Sequence, residues 1–217
     1  MLTSFTTFIL ISAILLPSIF SGLLIYDIIE TSLFRGIDMI ETIYFGTYTR
    51  RLSQGIYQAD FDTETGQLSN LKLFAAEPSP TYLAFDQKNN LYSVGSKDSQ
   101  GGIAAYQTDG TLLNHVVEEG APHCYVAVDE KRGLVYGANY HKGQVLVYKR
   151  KEDGCLVLTD MDQHSGHGPH ANQASPHVHY TDLTPDQYLV TCDLGTDEVT
   201  TYDVSAEGKL SKIATYN

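Results

Sequence analysis

The chain has 217 residues, with 26 acidic side chains against 14 basic ones and a formal net charge of −12. A polyanion binder needs a basic stripe, so this balance excludes nucleic acid as the main partner, and 42% hydrophobic residues exclude a disordered chain. Cys124, Cys155 and Cys192 stand singly with no CxxC pair, which argues against a disulfide framework or thiolate zinc site and for a reducing, cytoplasmic compartment.

Residues 1–38 form a segment apart. Residues 1–26 carry no charged side chain, and residues 8–29 read FILISAILLPSIFSGLLIYDII. At about 1.5 Å per residue such a run is predicted to form a hydrophobic helix long enough for a bilayer, kinked at Pro17. No Lys or Arg precedes Arg35, so the basic start of a secretory signal is missing. Two expectations compete: a membrane anchor through residues 8–29, or a cytoplasmic protein that begins at Met39. Any membrane contact rests on residues 1–38, and the functional domain on residues 39–217.

From residue 39 onward apolar residues alternate with period two, between clusters of Gly, Asn, Asp and Pro, which predicts short strands. The first strands fall at 43–49, 55–61 and 68–75. Three segments then align without a gap: TYLAFDQKNNLYSVG from Thr81, CYVAVDEKRGLVYGA from Cys124 and HYTDLTPDQYLVTCD from His179. Phe85, Val128 and Leu183 coincide, as do Leu91, Leu134 and Leu189. A third strand ends each unit's core at Tyr106, Tyr148 and Tyr202, and a fourth follows a turn. Four short antiparallel strands in a repeat of this size predict an all-β fold, a β-propeller whose blades bury their apolar faces by stacking. About four blades are expected, three full and one of three strands. With no strand to close the ring, the pattern is expected to be part of a larger propeller. A β-sandwich of similar hairpins is the competing architecture.

All eight histidines lie between His115 and His179, and five of them between His164 and His179. The connection QHSGHGPHANQAS is longer than the equivalent one before Cys124, and long loops on a rigid scaffold tend to carry function. His177 and His179, two apart, point to one face of a strand at the start of an innermost strand, where an imidazole can activate water or shuttle a proton. His170 in the preceding loop and Asp193 in CDLGTD are candidate substrate contacts, Asp193 also as a carboxylate that orients an imidazole. Arg50 and Arg51, adjacent in an acidic chain, suit a phosphate. His164, His167 and His170 step by three, but Gly and Pro between them fix no geometry and HExxH is missing, so no metal is expected. No P-loop, GxGxxG or GxSxG spacing occurs.

The stretches YFGTYTRRLSQGIYQADFDTETGQL, GAPHCYVAVDEKRGLVYGANY and SPHVHYTDLTPDQYLVTCDLGTDEVTTYDV resemble the propeller-type 6-phosphogluconolactonases, a seven-bladed lactonase family related to fungal carboxy-muconate cyclase. The resemblance covers residues 39–217. It implies hydrolysis of a sugar lactone, 6-phosphoglucono-1,5-lactone, without a cofactor. The family's catalytic histidine falls on His177, with His179 beside it. It further implies that Arg and Glu from blades beyond Asn217 complete the site, so that this chain by itself is expected to carry half of it. A non-catalytic propeller binding a protein or carbohydrate, and a cyclase-like cycloisomerase, are the alternative functions.

Overall fold

The structure, a computed structural model, describes residues 10–12 and 40–217, and among these residues every regular element is a strand. The alternating runs build four four-stranded sheets. Sheet 1 holds β1 (Leu10–Ser12), β2 (Ile40–Gly46), β3 (Gly55–Asp62) and β4 (Leu68–Ala76). Sheet 2 holds β5 (Leu83–Phe85), β6 (Leu91–Lys97), β7 (Gln100–Tyr106) and β8 (Leu112–Glu119). Sheet 3 holds β9 (Tyr125–Asp129), β10 (Leu134–Asn139), β11 (Gln144–Arg150) and β12 (Leu156–Gln163). Sheet 4 holds β13 (Val178–Leu183), β14 (Leu189–Asp193), β15 (Glu198–Val204) and β16 (Leu210–Tyr216). In each sheet the strands lie in chain order, the arrangement expected of a propeller blade.

Two-sided burial decides how the sheets assemble. The middle strands of sheets 2 and 3 bury almost every residue, as in LVYGAN of β10, whereas β15 alternates buried with partly or fully exposed positions. Sheets 2 and 3 thus have neighbours on both faces and sheet 4 on one. Three apolar clusters carry the stacking. Ile56 and Ala75 of sheet 1 meet Leu83, Leu91 and Tyr106 of sheet 2. Tyr92 and Ile103 of sheet 2 meet Val135, Leu146 and Leu156 of sheet 3. Leu134, Tyr136 and Val147 of sheet 3 meet Val178, Leu189 and Tyr202 of sheet 4. Each fully buried large apolar side chain contributes about 1.5–3 kcal/mol. The rings of Tyr82, Tyr125 and Tyr180 run across the innermost strands, with centroids 4.2 and 4.9 Å apart, so β5, β9 and β13 lie side by side.

Each third-to-fourth strand pairing in sheets 2–4 slips by one residue at the same place, between Ala105 and Tyr106, Val147 and Tyr148, and Thr201 and Tyr202. A bulge there sharpens the twist of the outer strand. The tyrosine that follows turns its hydroxyl to a buried polar residue from the linker before the blade: Tyr106 to Glu77, Tyr148 to His123 and Tyr202 to His164.

Sheet 1 departs from the expectation of three strands. β1 pairs with β2 in parallel, with Leu10, Ile11 and Ser12 opposite Tyr44, Phe45 and Gly46. An uncovered β2 edge would leave backbone N–H and C=O groups unpaired, and this short segment takes them up. These three residues are strand rather than helix. The rest of the hydrophobic helix expected over residues 1–38 lies outside the described residues. No helix among the described residues is long and apolar enough to cross a membrane.

Candidate active site

In a four-stranded meander the turn between second and third strands and the linker to the next sheet emerge at the same end. Those segments of all four sheets frame a cleft of about 760 Å³. Sheet 1 gives Tyr48 and Arg50, and its linker Pro78, Ser79 and Thr81; sheet 2 gives Ser96, and its linker Pro122, His123 and Cys124. Tyr140 and His141 come from sheet 3, and His179 and Leu194 from sheet 4. In a chain of net charge −12, no carboxylate belongs to this lining. A second cleft, at the opposite end between sheets 2 and 3, is lined by Asp86, Glu130, Glu152 and Asp153 together with Arg150 and Lys151. There Arg150 is clamped between Asp86 and Glu130, each at 2.9 Å, which makes it a bolt between blades.

The sequence candidates divide between lining and support. Arg50 and His179 line the cleft; Arg51 and His170 do not. His179 is exposed and meets Tyr140 edge-on, with ring centroids 5.9 Å apart. His177 lies behind Tyr140, stacked on it at 4.4 Å with 10° between the planes. Its Nδ1 lies 3.1 Å from the Tyr140 carbonyl, which only accepts, so Nδ1 carries a proton and donates it there. His170 is exposed in its loop, and its Nδ1 accepts from the Asn172 amide at 3.2 Å.

Asp193 faces inward and is 3% exposed. Oδ1 accepts from the His177 amide at 2.7 Å and the Gly195 amide at 2.8 Å, and Oδ2 meets His164 Nδ1 at 2.8 Å. Burial alone would raise its pKa, but the bonds from His164, His177 and Gly195 outweigh it and hold the carboxyl below its ordinary value. Asp193 thereby holds His177 just before β13, whereas His179 falls at a register break between Val178 and Tyr180, so the two histidines do not share one face of a regular strand as their spacing suggested. Gly195 is the matching contact: a Cβ there would lie 1.9 Å from the Ser175 carbonyl and 2.6 Å from the His177 nitrogen. His164, bound to Asp193 and to Tyr202 at 2.9 Å, belongs to this buried support, while His167 is exposed.

Tyr48, Ser96, His123, Tyr140 and His141 reach the cleft without having been singled out in the sequence. The signal was there for Tyr140 and His141, which occupy the second-to-third-strand turn at the same end as the histidine-rich linker. Burial and, more weakly, Lys142 push the His123 pKa down to about 3, and burial pushes the Cys124 thiol up to about 11. Neither is charged near neutral pH.

Residues 42–217 match the family described as lactonase, 7-bladed beta-propeller. The chain belongs to this family. A Lactococcus lactis subsp. cremoris protein is 55% identical over 181 residues, 82% of this chain and 53% of its own. The 6-phosphogluconolactonase of Bacillus subtilis is 42% identical over 182 residues, 80% of this chain and 52% of its own. The crystal structure of a Lactobacillus plantarum protein superposes with a TM-score of 0.80 at 55% identity, covering 82% of this chain and 53% of that one. This lactonase-family chain spans about half the length of the curated relatives it matches.

Proposed function

We propose that the protein hydrolyses a sugar lactone in the carboxylate-free cleft, with 6-phosphoglucono-1,5-lactone as the substrate. The observation that carries this reading is the cleft itself, where an exposed imidazole, His179, and a guanidinium, Arg50, face one space with no acidic side chain on its wall. Membership of the lactonase family and the name of the Bacillus subtilis relative support the reaction class and the substrate.

Among the described residues no hydrogen bond holds the His179 ring, so it is available to a water. His179 takes a proton from that water as its oxygen attacks the lactone carbonyl carbon. The Ser96 and Tyr140 hydroxyls on the lining are donors for the tetrahedral oxyanion. When the intermediate collapses, the bond from the carbonyl carbon to the ring oxygen breaks, and the imidazolium returns its proton to that oxygen. The product is the open-chain hydroxy acid. In this scheme His177 is a positioning residue: its ring, proton fixed on Nδ1, braces Tyr140, against whose edge His179 rests.

The test is lactone hydrolysis followed by acid release. His179→Asn is expected to lower kcat by about 10²–10⁴-fold, the weight of a general base, with an unchanged far-ultraviolet circular dichroism spectrum. A variant that retains full turnover contradicts the assignment. A protein that binds the sugar acid but never turns over the lactone is the binding module of the alternative reading.

A further inference from the structure

We infer that Arg50 reads the phosphoryl tail of the ligand, and so decides whether the cleft takes a phosphorylated or an unphosphorylated sugar acid. The inference rests on the lactonase reading and deepens it. Arg50 is the only guanidinium or ammonium group among the described lining residues, on a wall without carboxylates. An anion entering the cleft therefore meets one fixed cation and no opposing charge, although the chain as a whole is acidic.

The residue is held in place. Its guanidinium carbon sits 4.9 Å from the Tyr48 ring centroid, a cation–π contact. Its loop is laced to the linker between sheets 1 and 2: the Thr49 amide donates to Ser79 Oγ at 3.3 Å, and the Ser79 amide donates to Thr49 Oγ1 at 3.1 Å. On the other side Thr47 Oγ1 donates to the Gly55 carbonyl at 2.6 Å. Ser79, in the left-handed region at φ 47°, and Thr81, both hydroxyl residues, belong to the same lining. A planar fork beside hydroxyl donors suits a phosphoryl group, which carries close to two negative charges and several acceptor oxygens. His179 comes from sheet 4, with sheets 2 and 3 between, so the ligand lies with its phosphoryl tail toward sheet 1 and its ring carbonyl toward sheet 4. Arg51, next in sequence and outside the lining, carries the same charge without the position.

The test is calorimetric titration of the chain with 6-phosphogluconate and with gluconate, alongside Arg50→Ala, Arg50→Lys and Arg51→Ala. Arg50→Ala is expected to weaken 6-phosphogluconate binding roughly ten- to hundred-fold, the weight of a charge-assisted contact, and to leave gluconate binding unchanged. Arg50→Lys is expected to fall between, and Arg51→Ala to match the unaltered chain. Equal affinity of the unaltered chain for the two acids, or an equal loss of both in Arg50→Ala, overturns the inference. Arg50-dependent binding of 6-phosphogluconate without lactone turnover would overturn the hydrolytic reading and support this one. Equal turnover of phosphorylated and unphosphorylated lactone, unaltered in Arg50→Ala, would do the reverse.

Discussion

His123 shows how burial sets the protonation of a single side chain. It is 3% exposed, its Nε2 lies 2.6 Å from the Tyr148 hydroxyl, and its pKa is held near 3 against an ordinary value of about 6.5. Between those values the unfolded chain binds a proton that the folded one refuses. Stability from this residue is therefore complete above about pH 6.5 and is lost as the pH falls toward 3. Asp193, whose carboxyl is held below its ordinary range, contributes stability that is lost only under about pH 4. The midpoint of thermal unfolding should thus fall between pH 6.5 and 4.5, and His123→Gln should flatten that slope. An unchanged slope in the variant would contradict the assignment of buried, neutral His123. Sequence reading singled out His177 and His179 from their spacing and passed over His123. Spacing reports which face a side chain takes on a strand, whereas His123 sits in a linker, and its burial depends on Gly137, where a Cβ would lie 2.3 Å from the His123 ring.

At the scale of elements, the repeat is a repeat of positions more than of residues. The strand pairs that begin at Thr81, Cys124 and His179 were legible because apolar positions recur without a gap, and they emerge as β5–β6, β9–β10 and β13–β14. The polar bolts between blades were not legible. The residues that satisfy Tyr106, Tyr148 and Tyr202 are Glu77, His123 and His164, three side chains of which only two share a type and none the same distance in sequence from its tyrosine. What recurs is a buried hydroxyl that needs a partner, and any hydrogen-bonding group of the right reach satisfies it. The β14–β15 turn is the element on which the candidate site leans hardest. Gly195→Ala places a methyl against the backbone at Ser175 and His177, so Ser175–His177 must move. A loss of about 1–3 kcal/mol in urea unfolding is expected, typical of overpacking, together with reduced lactone turnover. Gly66→Ala, where a Cβ meets nothing within 4 Å, should leave turnover intact. Turnover preserved in Gly195→Ala would separate the β13 start from the chemistry.

Over the whole molecule, alternation and repetition were enough to read three stacked four-stranded sheets and three strands of a fourth, because stacking is the way such sheets bury both faces. The short parallel strand β1 was missed, since an uninterrupted apolar run carries no period that separates strand from helix. The cleft was half legible: Arg50 and His179 were named, but that they share one space follows only once the turns of four sheets emerge at the same end. The sheets at the two ends of the stack keep apolar side chains exposed, Leu68, Leu71 and Leu73 on sheet 1 and Val199, Ile213 and Tyr216 on sheet 4. The proposed binding mode has one ligand spanning this cleft from sheet 1 to sheet 4. Its most direct measurement is the set of histidine ring proton resonances during titration with 6-phosphogluconate. The His141 and His179 signals should shift with a common saturation curve, while those of His115 and His167, outside the lining, stay in place. Shifts confined to His115 or His167, or no shift at His179 at saturation, would contradict the account.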